Sequence, residues 1–171
     1  MKRTPILFLA SFTMACLATA AHAQETASAT ATATIVTPIS ITKDVDMNFG
    51  NVAVQSTTGG TVVLTPAGTR SATGGVTLPT TATGTVTAAS FTVSGTSGYS
   101  YAITLPSTAL TITSGSNTMT VTTFTSDPSG TGTLTGGSEV VNVGATLNVS
   151  AAQAAGTYVS ATPFDVTVNY N

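Results

Sequence analysis

Residues 86–106 read VTAASFTVSGTSGYSYAITLP, and this stretch decides the fold. Val86 to Val93 and Tyr99 to Leu105 are short runs rich in β-branched and aromatic residues. Such residues suit a pleated, half-buried surface. Between the runs lie Gly95 and Gly98, which form turns readily. In the second run Tyr99, Tyr101, Ile103 and Leu105 recur at every other position, so on a strand they share one face, read here as core. The stretch is therefore two strands joined by a tight turn.

The same grammar extends outward. Toward the N-terminus come Ile39-Ser40-Ile41, Val45 to Phe49, Thr61 to Thr65 and Val76 to Leu78. Toward the C-terminus come Leu110 to Ile112, Met119 to Phe124, Val140 to Val143, Leu147 to Val149 and Phe164 to Tyr170. Gly59-Gly60, Gly74-Gly75, Asp127-Pro128-Ser129-Gly130 and Gly136-Gly137 punctuate them. Only Val149 to Ala155 could form a helical turn, which Gly156 would end. Many short strands at about 8–12 residue spacing mean a sandwich or a barrel. An outer-membrane barrel wants aromatic girdles and strands of about ten residues. After residue 23 the chain has eight aromatics and no tryptophan, so the sandwich is preferred. The expected fold is all-β: an antiparallel β-sandwich over residues 39–171. Phe91, Val93, Ile103, Phe124, Leu147, Tyr158 and Val166 are expected to be largely buried. In the last strand Phe164, Val166, Val168 and Tyr170 alternate with Asp165, Thr167 and Asn169. The first three should face the core.

Composition narrows function. Of 171 residues, 39 are threonine and 10 are charged. Lys2 and Arg3, the mostly apolar stretch Ile6 to Ala21, and Ala21-His22-Ala23 form the pattern of a signal peptide over residues 1–23, cleaved before Gln24. A lipoprotein signal ending at Cys16 is the competing reading, but Thr13-Met14-Ala15 lacks the leucine expected before it. Export is expected, through the periplasm to the cell surface. The stretch is too short and too broken for a transmembrane anchor. Cys16 and His22 are the only cysteine and histidine, so the processed chain would have neither. That leaves no thiol nucleophile, histidine base, zinc cluster or disulfide. The abundant hydroxyls have no recognisable activating base. The expectation is a non-enzyme with no cofactor and no metal.

From residue 24 onward Lys43 and Arg70 stand against Glu25, Asp44, Asp46, Asp127, Glu139 and Asp165. Two isolated cations make no basic patch, so nucleic acid is not an expected partner. Asp44, Asp46 and Asn48 resemble the start of a calcium loop, but Phe49 and Gln55 occupy the positions where an EF-hand needs glycine and glutamate. A solvated strand face is the preferred reading. Arg70 could clamp a carboxylate, although a solvated loop charge is the more common outcome.

Residues 24–38 form an N-terminal extension. Ala27, Ala29, Ala31, Ala33 and Ile35 fall on one side of an alternating run, with Ser28, Thr30, Thr32 and Thr34 on the other. Three readings stand: a strand donated to another copy, the chain's own first strand, or an exported tail.

The segments Gly68-Thr69-Arg70, Gly74-Gly75-Val76, Phe91 to Gly95, Val143 to Val149, Ala155 to Tyr158 and Val166 to Tyr170 resemble a bacterial secreted family, domain of unknown function 4402. The resemblance covers nearly all of the chain after residue 23. The ending, with penultimate Tyr170, is also similar to chaperone–usher pilins and spore-coat-U-type subunits. That second likeness implies an immunoglobulin-like sandwich, completed by strand exchange. It implies that copies of itself or related subunits are partners, together with a periplasmic chaperone and an outer-membrane usher. It makes 27–35 the donor strand, and Phe164, Val166, Val168 and Tyr170 the C-terminal strand that meets the chaperone. The function expected from it is an exported structural subunit of a pilus or fimbria. The alternative is a secreted monomeric adhesion or binding module.

Overall fold

The structure is a computed structural model that describes residues 24–171, so the expected signal peptide lies outside the described residues. The strands are β1 (Ser40–Val45), β2 (Asn48–Phe49), β3 (Ala53–Val54), β4 (Gly60–Leu64), β5 (Arg70–Gly74), β6 (Val76–Thr77) and β7 (Val86–Thr87). They continue as β8 (Ala89–Ser94), β9 (Ser100–Thr104), β10 (Leu110–Ser114), β11 (Asn117–Asp127), β12 (Thr131–Thr133), β13 (Ser138–Val149) and β14 (Thr167–Tyr170). One 3-10 turn at Thr135–Gly137 is the only helical element among the described residues. The fold is all-β and every strand pair is antiparallel.

β13 organises the larger layer. Its first half pairs with β8 over Ser138–Val143, and its second half pairs with β4 over Ala145–Val149. Its opposite edge pairs with β11. The seven-stranded sheet is completed by β1 beside β8, β10 beside β11, and β5 beside β4. The sequence pattern predicts two separate runs, Val140 to Val143 and Leu147 to Val149. They are one strand, because Gly144 continues the ladder opposite Thr125. β5 and β12 escaped the sequence reading, since Ser71-Ala72-Thr73 and Thr131-Gly132-Thr133 carry no strong apolar alternation. Val149 to Ala155 forms no helix; a turn at Ala151–Ala152 is all that remains of that expectation.

The second layer is a smaller sheet in the order β12–β9–β14. It packs on the β8 end of the large sheet and closes a core of Phe91, Val93, Tyr101, Ile103, Leu134, Val141, Val143, Val166 and Val168. Side chains two apart on these strands point the same way, so each strand supplies one row to this core. A second cluster, Val62, Val76, Val121, Ala145, Leu147 and Val149, lies under the β4–β11 end. Phe49 of β2, Val54 of β3, and Val52 and Leu78 from the adjoining chain pack against it.

Of the residues expected to be buried, Phe91, Val93, Ile103, Leu147 and Val166 are buried. Phe124 and Tyr158 are only half-buried; Phe124 packs at the margin of both core clusters. Tyr99 corrects the reading of its strand. It lies just outside β9, is 43% exposed, and stacks obliquely on Tyr170 with ring centroids 5.5 Å apart. Tyr101 and Ile103 do enter the core.

Candidate functional site

Three strands in the second layer cannot cover seven in the first. The uncovered inner face becomes the floor of a groove of about 1190 Å³. Leu110 and Ile112 come from β10 and Met119 and Val121 from β11, placed together by the pairing of Leu110 with Val121 and Ile112 with Met119. Val121 is buried, whereas the other three keep part of their surface accessible. Met47 and Phe49 form one wall, and Phe164 with Val166 the other. Phe164 is held by two aromatic neighbours, Phe124 at 5.0 Å and Phe91 edge-on at 6.3 Å between ring centroids.

The edge of β1 and the segment leading into β14 flank the groove. β1 lines it through Ile41, Lys43 and Val45, and pairs only with β8. The C-terminal segment lines it through Phe164 to Val166 and runs into β14, which pairs only with β9. Each strand thus has one edge with no partner strand among the described residues. Charge is confined to the lining's margin, where Lys43 and Asp46 form an exposed ion pair of 2.8 Å and Asp165 is exposed. The site is a trough with an apolar floor and a mixed lining, to which Asn48, Asn51, Gln153 and Ser160 also contribute, beside the unpaired edge of β1. Chemically it can take an extended segment with apolar side chains at alternate positions.

Arg70 shapes this site from behind. It meets no carboxylate and is not a solvated loop charge. Its guanidinium donates to the carbonyl of Phe49, to that of Asn51 at 2.9 Å and to that of Thr83 at 3.3 Å. Five donors in a rigid fork can hold three carbonyls from two loops at once. Phe49 is thereby fixed as groove wall.

The residues singled out in the sequence are distributed as follows. Ala27, Ala29, Ala31 and Ala33 are exposed and lie in no strand, and Ile35 is 91% exposed. Phe164 is half-buried and Val166 and Val168 are buried, while Asp165, Thr167 and Asn169 are exposed. This is the alternation expected, although the regular strand begins only at Thr167. Tyr170 spends its hydroxyl within its own chain, on Thr37 and Thr96. Asp44, Asp46 and Asn48 do not converge. A register shift between Lys43 and Val45 breaks their alternation. Asp44 accepts from Thr92, Asp46 pairs with Lys43, and Asn48 accepts from the Gly50 amide. No cluster suited to holding a metal occurs among the described residues.

One polar contact joins the layers, between the buried Tyr101 and the half-buried Glu139. Glu139 accepts from the Tyr101 hydroxyl at 2.8 Å and from the Thr133 amide at 2.8 Å. Burial, followed by the neighbouring Glu139 carboxylate, pushes the Tyr101 phenol well above its ordinary range. The arrangement ties β9, β12 and β13 together, and its proton is held too firmly for acid–base work near neutrality.

The groove residues Leu110, Ile112 and Met119 were read in the sequence only as strand residues. Nothing in their alternation reports that the facing layer stops short of them.

A family model described as Domain of unknown function (DUF4402) matches residues 39–170. No curated protein and no solved structure matches the chain significantly.

Proposed function

The chain belongs to the DUF4402 family, and from that premise we propose that it is an exported structural subunit of a cell-surface fibre. In this reading the extension of one copy adds as a strand to the groove of the next. The observation that carries it is the open groove in which Leu110, Ile112 and Met119 stay partly accessible beside the unpaired edge of β1. An unpaired edge beside accessible apolar surface is an aggregation hazard for an isolated protein. An added strand covers both the edge and the apolar surface, by backbone hydrogen bonds along its length and by side chains at alternate positions.

The extension has the right form. Residues 27–35 span roughly 30 Å when extended. They carry no charge, and Ile35 is offered to solvent. The alanines suit shallow sites, while Ile35 and the main chain supply most of the affinity. Other copies or related subunits are the proposed partners. A periplasmic chaperone would shield the groove during export, and an usher would pass the subunit on. The proposed role is non-catalytic and calls for no cofactor.

The test is a synthetic peptide of residues 25–38 added to a chain lacking residues 24–34. Residues 35–171 form a compact unit by themselves, so this truncation removes no part of it. Bound peptide should raise the melting temperature, with stabilisation of about 2.7 kcal/mol at a hundredfold excess over Kd. Ala31→Asp or Ile35→Asp in the peptide should abolish the effect, and Thr32→Lys should matter less. A truncated chain that ignores the peptide, from a protein that never assembles at full length, overturns the fibre reading. It would place the secreted monomeric binding module first.

A further inference from the structure

The seven-stranded sheet exposes three strand edges, and they are protected unequally. β1 carries a bulge between Lys43 and Val45, with Lys43, Asp44 and Asp46 around it. Bulges and edge charges discourage pairing with another chain. β10 is blocked at Thr113, whose amide and carbonyl both bond to Val159, at 2.9 and 3.0 Å. β5 has neither device. It pairs only with β4 and reads RSATG, with no proline, lysine or acidic residue. Its one charge, Arg70, is turned onto the carbonyls of Phe49, Asn51 and Thr83. Ser71, Thr73 and Gly74 are exposed.

The register shows which main-chain groups face outward. β4 and β5 pair Val63 with Ser71 and Thr61 with Thr73. The Thr65 amide bonds to the Thr69 carbonyl at 2.8 Å, and the Gly75 amide to the Gly59 carbonyl at 2.8 Å. Hydrogen-bonded pairs alternate along an antiparallel ladder. Ser71 and Thr73 therefore spend their amides and carbonyls on β4, and those of Arg70, Ala72 and Gly74 point away from it. No main-chain bond from another segment reaches these three among the described residues.

We propose that β5 is a self-pairing edge, through which two copies of this chain join antiparallel across a twofold axis at Ala72. Ala72 and the partner's Ala72 exchange both of their main-chain hydrogen bonds. Arg70 lies opposite the partner's Gly74. Ser71 lies opposite the partner's Thr73 in a non-hydrogen-bonded pair, where side chains approach most closely. One patch serves both subunits, as a twofold contact requires. The contact uses neither the groove nor the extension, so it stands apart from the fibre reading. Five residue pairs bury well under about 1,000 Å², which places the contact among weak ones.

The experiment is sedimentation equilibrium on the chain from residue 24 carrying Ile35→Asp, so that assembly through the extension is removed. A dimer with a Kd on the order of 10⁻⁴ M is expected. Ser71→Lys with Thr73→Lys sets like charges against each other twice and should weaken the dimer at least tenfold. Ser71→Lys with Thr73→Glu sets opposite charges there and should restore or tighten it. Amide exchange at Ala72 gives a readout without these substitutions, and it should slow as protein concentration rises. A chain that stays monomeric to about 1 mM, a dimer indifferent to the paired lysines, or exchange at Ala72 independent of concentration would each overturn the proposal.

Discussion

The hydroxyl of Tyr170 donates to the main-chain carbonyl of Thr37 across 2.8 Å and 133 positions of sequence. The same oxygen accepts from the Thr96 amide at 2.7 Å, and the Thr37 amide donates to the Thr96 hydroxyl at 3.0 Å. The end of the chain, the start of the folded unit and the turn after β8 are thus closed on one another. Gly95 is required beside them, since a Cβ at that position would collide with the Tyr170 hydroxyl. The closure anchors the main chain at Thr37, three residues before β1.

Tyr170→Phe should cost about 1–2 kcal/mol, the worth of two hydrogen bonds at a half-buried site. Urea denaturation of the two proteins measures it. Gly95→Ala should cost at least as much, because the added methyl displaces the phenol rather than merely silencing it.

Replacing Val166 by Asp should abolish cooperative unfolding or the recovery of folded protein. Val166 is 9% exposed, and an unpaired carboxylate there has no partner to offset its lost hydration. Thr167→Asp, on the exposed side, should change stability by less than about 0.5 kcal/mol. Equal damage from both would mean that the strand is shifted by one residue. Circular dichroism with thermal melts distinguishes the outcomes.

Arg70→Met should destabilise by about 1.5–3 kcal/mol, since it strips donors from three carbonyls. Arg70→Lys should recover only part of that, because one ammonium cannot span carbonyls from separate loops. Chemical denaturation reads the stability. Weaker peptide binding by Arg70→Met would follow from the loosened Phe49 wall.

Stability should fall at alkaline pH. The folded state holds the Tyr101 proton above the phenol's ordinary pKa of about 10, as the buried ring and the Glu139 carboxylate dictate. The unfolded chain releases that proton once pH passes about 10, so it binds fewer protons than the folded state there. The contribution is complete below that pH and is lost as pH climbs beyond it. Melting temperatures between pH 9 and 11 should drop in the parent, and less steeply in Tyr101→Phe.

Much of this architecture follows from local pattern. Phe91 and Val93, Leu147 and Val149, and Val166 and Val168 alternate with small polar residues, and a strand's period of two sends each pair inward whatever its neighbours are. Glycine pairs and the Asp127-Pro128 step mark where the runs break. β5 was missed because Ser71-Ala72-Thr73 has no apolar row; its place comes from pairing with β4 rather than from its own side chains. Tyr99 was misassigned because alternation says which side a residue takes, not whether the opposite layer extends that far.

The groove lies beyond the reach of alternation for the same reason. Leu110, Ile112 and Met119 have the pattern of core residues and are left partly uncovered, because the β12–β9–β14 sheet is too narrow for the sheet it faces. Arg70 reads in the sequence as a solvated loop charge or, less commonly, a carboxylate clamp; it instead binds the carbonyls of Phe49, Asn51 and Thr83, which lie 13 to 21 positions from it. By itself the sequence determined the strand class, the sidedness of strongly alternating strands such as β8 and β14, and the absence of charge from residues 27–35. Those properties depend on the side chains of neighbouring positions. Tertiary structure alone decided which strands lack a partner and how much of the inner face stays open. Those depend on how wide each sheet grows and on which segments, distant in the chain, arrive to cover it.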